Sequence, residues 1–184
     1  AHPAIAINYQ SIGSGAGIAQ IKAGTVAFGA SDKPLTSEEL AKNNLIQFPT
    51  AIAGEDMIYN VAGIKAGDLV LSGPLIADIY MAKVTKWNDP AIAKLNPGLK
   101  LPDAAITVVH RSDGSGTTFT FADYLSKVSP EWKAKVGADT SVAWPTGVGG
   151  KGNEGVASYV QHIAGSIGYV EYAYILENKL AYAK

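Results

Sequence analysis

His110-Arg111-Ser112-Asp113-Gly114-Ser115-Gly116-Thr117-Thr118 follows a β-type run, Ile106 to Val109, and opens a helix-type run, Thr118 to Val128. A strand that turns through Gly-Ser-Gly into a helix leaves several backbone N–H groups without partners at the helix start. Those donors, with the positive end of the helix dipole, suit an anion. Arg111 adds a charged fork of donors, and Ser115 and Thr117 add hydroxyls. Asp113 is the odd member. A carboxylate in an anion site repels the ligand unless the ligand carries a proton to donate.

Outward from this stretch, strand and helix signals alternate, so α/β with a mostly parallel sheet is the default. Ile5 to Tyr9, Val26 to Ala30, Leu45 to Ile52 and Ile167 to Glu171 read as strands. Glu55 to Tyr59 is mixed and is placed in a strand. Helices are expected from Ser14 to about Ala23, over Pro74 to Val84, and at Leu40, whose entry Thr36-Ser37-Glu38-Glu39 spells a capping box. Asp89-Pro90 and Ser129-Pro130 are cap-and-start pairs. Gly147 to Gly152 reads as a glycine-rich loop, and Asn153 as the cap of the next helix, followed after the last strand by a helix through Ile175. A break between lobes falls best around Gly54 to Asn60.

Bulk composition narrows the function. The chain has 184 residues, a net charge of −1, 47% hydrophobic residues and no cysteine. There is no basic field for nucleic acid, no disulfide framework and no thiolate metal site. No apolar run approaches a membrane span, and no charged-then-apolar leader opens the chain. An anion bound here has to be attracted by local geometry.

Three segments end a strand with small polar residues: Ser11 to Gly15, Ala30-Ser31-Asp32, and Arg111 to Thr118. Ligands of open α/β sheets sit beyond the carboxyl ends of strands. Two of the three also open helices, so two helix N-termini could converge on one anion. An ordinary capped glycine turn explains any of them alone, but a cap needs no Arg and Asp two residues apart. Enzyme motifs fail. Gly150-Lys151 lacks the glycine and the hydroxyl residue of a phosphate loop. Ser14 and Ser115 lack the flanking glycines of a hydrolase elbow. His2, His110 and His162 show no ligand spacing and read as structural or surface; no metal or cofactor is expected. Trp87, Trp132 and Trp144 read as packing.

Asn8 to Gly15, Phe28 to Asp32, Arg111 to Thr117, Gly149 to Asn153 and Gly168 to Tyr172 resemble the periplasmic phosphate-binding proteins of the bacterial high-affinity phosphate ABC transporter. The similarity runs over nearly the whole chain. It implies an α/β, type II periplasmic-binding-protein-like fold: two lobes with mostly parallel or mixed sheets, the first lobe incomplete. Residues 1–58 would form the partial first lobe, 59–170 the second, and 171–184 a segment returning toward the first. It implies a phosphate carrier and not an enzyme, delivering inorganic phosphate to a permease in the inner membrane, with a periplasmic location. By resemblance, Ser14 and Asp32 contact phosphate from the first lobe. Arg111, Asp113, Ser115, Gly116 and Thr117 are the second-lobe ligands or their support, with the arginine also pairing the aspartate.

The chemistry of the residues agrees with that implication. Phosphate near neutral pH keeps a proton that Asp32 can accept; sulfate has none and would meet an unpaired, repelled charge. The chain also departs from the family. Ala1-His2-Pro3 looks like the tail of a helix whose preceding strand and phosphate-binding turn are missing, and the end at Lys184 lacks the long segment that completes the first lobe. Glu55-Asp56 stands where apolar residues are expected. A weakened half-site follows, with exposed apolar surface and a tendency to self-associate through the incomplete lobe. The competing expectation is an interaction or scaffold fragment of the same fold that has lost transport.

Overall fold

The computed structural model describes residues 5–184; the reading of Ala1-His2-Pro3 lies outside them. In chain order the elements are α1 (Gly13–Lys22), α2 (Ser37–Lys42), β1 (Glu55–Asn60), α3 (Gly73–Tyr80), α4 (Pro90–Leu95), β2 (Thr107–Arg111) and α5 (Gly116–Val128). They continue with α6 (Pro130–Lys135), β3 (Val148–Gly150), α7 (Gly152–His162), β4 (Ser166–Glu171), α8 (Tyr172–Asn178) and β5 (Ala181–Tyr182). The local signals explain several starts. Thr36 and Glu39 close the capping box of α2, the Asp89 side chain accepts from the Ala91 N–H at 2.8 Å, and Ser129 accepts from the Trp132 N–H at 3.2 Å.

One five-stranded sheet has the order β3-β2-β4-β1-β5. β2 runs parallel to β3 and β4, while β1 runs antiparallel to β4 and β5. The expectation of a mostly parallel sheet is thus corrected to a mixed one. Alternation along β1 sends Met57 and Tyr59 to one core, with Tyr80, Phe121, Leu125 and Tyr169. It sends Ile58 to the other, with Val109, Val156, Val160 and Ile175. Helices therefore cover both faces of the sheet, the layered solution for α/β chains. Trp87 and Trp132 are fully buried, and each indole N–H finds a backbone carbonyl, Gly165 at 2.9 Å and Gly137 at 3.0 Å. His110 stacks on Trp144 at 4.8 Å between ring centroids, and burial lowers its pKa against the hydrogen bond to the Arg111 carbonyl.

Three expected strands are not strands. Ile5 to Tyr9, Val26 to Ala30 and Leu45 to Ile52 form no ladder. A strand exists only where its N–H and C=O groups meet those of a neighbouring strand, and none of these segments pairs with a strand among the described residues. Two smaller corrections concern the glycine-rich stretch. Val148–Gly150 is a short strand beside β2 rather than loop; a Cβ on Gly150 would lie 2.6 Å from the Gly155 carbonyl carbon, so only glycine lets this strand meet α7. The N-cap of α7 is Lys151, not Asn153. Asn153 instead bridges to β4, donating to Glu171 Oε1 at 3.2 Å and accepting from the Glu171 N–H at 3.3 Å.

Candidate functional site

At the carboxyl end of β2 the chain turns through Ser112 to Ser115 into α5. The Ser115 hydroxyl accepts from the Thr118 N–H at 3.0 Å and is fully buried. It is the cap that fixes this turn, and it does not line the cleft. With the cap in place, the first turn of α5 presents Gly116 and Thr117 to a cleft of about 1110 Å³. The Arg111 side chain, 5% exposed, closes the back of the site. Its Nε and Nη2 donate to the two Asp113 oxygens at 2.8 and 2.6 Å, and its Nη1 to Thr117 Oγ1 at 3.4 Å.

Asp113 is held from a second side, since its Oδ1 also accepts from the Gly152 N–H at the start of α7, at 3.0 Å. Burial pushes its carboxyl up, but the guanidinium and that amide outweigh burial, and its pKa falls below the ordinary value. Burial likewise opposes the charge on Arg111, and the paired carboxylate more than restores it. Asp113 is therefore an ionised partner that orients the guanidinium.

The other wall comes from α1 and the segment after it. The Gly15 N–H donates to the Gly114 carbonyl at 2.9 Å, joining the start of α1 to the turn before α5. Ser14 is buried, and its Oγ accepts from the Asp32 N–H at 3.3 Å. A Cβ on Gly116 would fall 2.7 Å from the Asp32 Cβ and overlap both the Asp32 carboxylate and the Ser14 hydroxyl. The glycine is what allows Ser14, Asp32 and the α5 terminus to meet. Lys33 ties the same segment to Asp139 at 2.6 Å.

Ser14, Asp32, Arg111, Asp113, Gly116 and Thr117 all line one cleft; of the expected site residues only Ser115 stands behind it. Sequence reasoning missed Gly152 and Asn153, which bring a third helix N-terminus, that of α7, to the same place. It also missed Glu171, on the cleft wall. The signal for α7 was present in Gly152-Asn153, but it was read as a cap rather than as a partner for Asp113. No group of metal-ligating side chains occurs among the described residues, and no helix among them is long and apolar enough to cross a membrane.

A mixed sheet with helices on both faces, and an anion-suited cleft where helix N-termini gather, define a type II periplasmic-binding-protein-like fold with one lobe incomplete. The chain belongs to the PBP superfamily: the family profile described as PBP superfamily domain matches residues 1–184. Among curated proteins it is similar to the phosphate-binding protein PstS of Xylella fastidiosa strain Temecula1, 68% identical over 96% of this chain and 48% of the relative. It is also similar to PstS of Pasteurella multocida, 63% identical over 96% of this chain and 52% of the relative. The chain thus spans about half the length of the curated relatives it matches. Among solved structures it superposes on a protein from Clostridium perfringens described as a phosphate ABC transporter substrate-binding protein with bound phosphate. That match has a TM-score of 0.76 and 26% identity, and covers 100% of this chain and 65% of the other. A phosphate-binding protein from Stenotrophomonas maltophilia gives 0.70 and 20% over 96% of this chain and 57% of the other, a likeness of fold.

Proposed function

We propose that this chain binds inorganic phosphate as part of the solute-binding component of an ABC phosphate importer that works in the periplasm and hands phosphate to a membrane permease. The observation that carries this reading is the meeting of Ser14, Asp32 and Gly116 in front of the Arg111–Asp113 pair. Backbone N–H groups at the starts of α1 and α5, the Ser14 and Thr117 hydroxyls and the guanidinium supply attraction. Asp32 supplies selection: it accepts a hydrogen bond from a protonated oxyanion and repels one without a proton. The group binds and releases its anion.

Calorimetric titration with phosphate and then sulfate tests the reading. Phosphate is expected to bind and sulfate to bind far more weakly; equal affinity for the two would refute the role given to Asp32. The unpartnered apolar residues Ile46, Phe48 and Ile52 favour an added property, self-association through the incomplete lobe.

A further inference from the structure

The two walls of the cleft are also joined on its outer side. Lys33 follows Asp32 in the chain but does not line the cleft. Its ammonium lies 2.6 Å from Asp139 Oδ1 and 5.6 Å from the centroid of the Phe119 ring, near the start of α5. Asp139 and Thr140 belong to the loop between α6 and β3. The same Asp139 oxygen accepts from the Thr140 N–H at 2.7 Å, and the Thr140 carbonyl accepts from the Ser115 N–H at 2.8 Å. Ser115 is the cap of α5. On the near side, the Ser31 hydroxyl accepts from the Lys33 N–H at 3.1 Å and donates to the Lys33 carbonyl at 2.9 Å, bracing the backbone across Asp32. A continuous run of contacts thus leads from Asp32 through Lys33, Asp139 and Thr140 to the cap that presents Gly116 and Thr117.

We propose that Lys33 is a positioning residue of the oxyanion site: with Asp139 it clasps the Asp32 segment onto the start of α5 and so sets how long a bound anion is held. The proposal rests on the phosphate reading and deepens it. No residue from Gly24 to Gly54 is buried, so burial does not anchor Asp32 and polar contacts must. The Asp32 N–H has only a long bond to Ser14 Oγ, at 3.3 Å. An exposed ion pair alone is worth little. Here one ammonium serves a carboxylate and an aromatic face together. The carboxylate is already held by the Thr140 N–H, so less freedom is lost when it pairs.

A bare electrostatic role for Lys33, attraction of the anion at a distance, predicts the opposite sign at Asp139. Removing that carboxylate would then tighten anion binding, because a repelling charge is gone. Removing one half of a clasp loosens it.

The test is phosphate binding and release, by calorimetry and stopped flow, in the wild-type chain, Lys33→Met, Asp139→Ala, the double variant and Lys33→Arg. Lys33→Met and Asp139→Ala are each expected to weaken phosphate binding about fivefold, mainly through faster release. The double variant should lose no more than either single one. Lys33→Arg keeps the charge and the aromatic contact and should bind within about twofold of wild type. Melting temperatures should stay within about 2 °C, because the two cores lie elsewhere. One readout needs no phosphate. The Lys33 ammonium holds the Asp139 carboxyl below its ordinary pKa, so its midpoint by carbon NMR should rise in Lys33→Met and stay low in Lys33→Arg. Unchanged or tighter phosphate binding in Asp139→Ala, additive losses in the double variant, or no rescue by arginine overturn this proposal and leave the phosphate reading standing. Absence of phosphate binding by the wild-type chain overturns the phosphate reading, and this proposal with it.

Discussion

Ile46, Phe48 and Ile52 stand 88%, 71% and 102% exposed, while Met57, Tyr59 and Val61, a few residues further on, stand at 8%, 2% and 7%. Both sets alternate along an extended backbone. The second set has β4 on one side, β5 on the other and α5 above it; the first lies in no ladder among the described residues, and Gln47 between its side chains bonds the Leu35 backbone at 3.0 Å. A period of two therefore states what a segment can do, and the neighbour decides whether it does it. The chain before Glu55 holds its place through a few polar ties, such as Gly15 to Gly114 and Lys33 to Asp139. The sheet region holds itself by burial.

The comparison breaks most plainly under truncation. Trp87→Ala, in the sheet region, removes a fully buried indole and is expected to cost about 3–5 kcal/mol. Phe48→Ala is expected to stay within about 0.5 kcal/mol. Urea unfolding of both variants checks this, and comparable losses would mean that the early segment is packed in solution.

Gly116→Ala is the next largest effect and acts at the seam between the two regions. The new methyl overlaps Ser14 and Asp32, so α1 and its following segment must withdraw from α5. Phosphate affinity should fall at least about a hundredfold, since two charge-assisted contacts are lost together. The melting temperature should move little, because the two cores lie elsewhere. Calorimetry beside a thermal melt separates the outcomes, and full binding by the variant would show that the two walls do not meet.

Much of the site could be read in the residues. The turn from Arg111 to Thr117 and the convergence of α1 with α5 follow from helix-start donors and side-chain types, and the place of Asp32 beside them from the family resemblance. What stayed hidden needed three-dimensional neighbours. The Asp113–Gly152 hydrogen bond joins positions 39 residues apart, and no local spacing encodes it. Ser115 looked like a ligand because cap and ligand use the same hydroxyl; only burial tells them apart. Glu55 was legible as an oddity, since carboxylates are costly in a buried strand, but its facing of Glu171 depends on the β1–β4 register. The fold was legible after Glu55, where pattern and partner agree, and misread before it, where the pattern stands alone.

Stability against pH sharpens the comparison further, because both Glu55 and Asp56 sit where the partnered region begins. Burial raises both carboxyl pKa values, Glu55 to about 8. The folded chain thus holds protons that the unfolded chain releases near the ordinary carboxylate range. Stability is fully present below that range and is lost as pH rises toward 8. Glu55→Gln removes the larger share of that loss. Its melting temperature should exceed wild type by roughly 5 °C at about pH 8.5 and match it near pH 4. A wild-type curve flat between those limits would contradict the burial of Glu55.

The smallest expected effect concerns the exposed row itself. Ile46→Ser, Phe48→Ser and Ile52→Ser combined replace apolar surface that already faces water, so the unfolding midpoint should shift by no more than about 1 °C. Self-association should respond instead. A row of apolar side chains on an extended segment with unpaired amides is a template for a second strand. If wild type shows a concentration-dependent rise in mass by light scattering, the triple variant should lose it while keeping its melting curve. A variant that melts early without any change in association would place these side chains in a core, and the contrast between the two regions would then be one of degree.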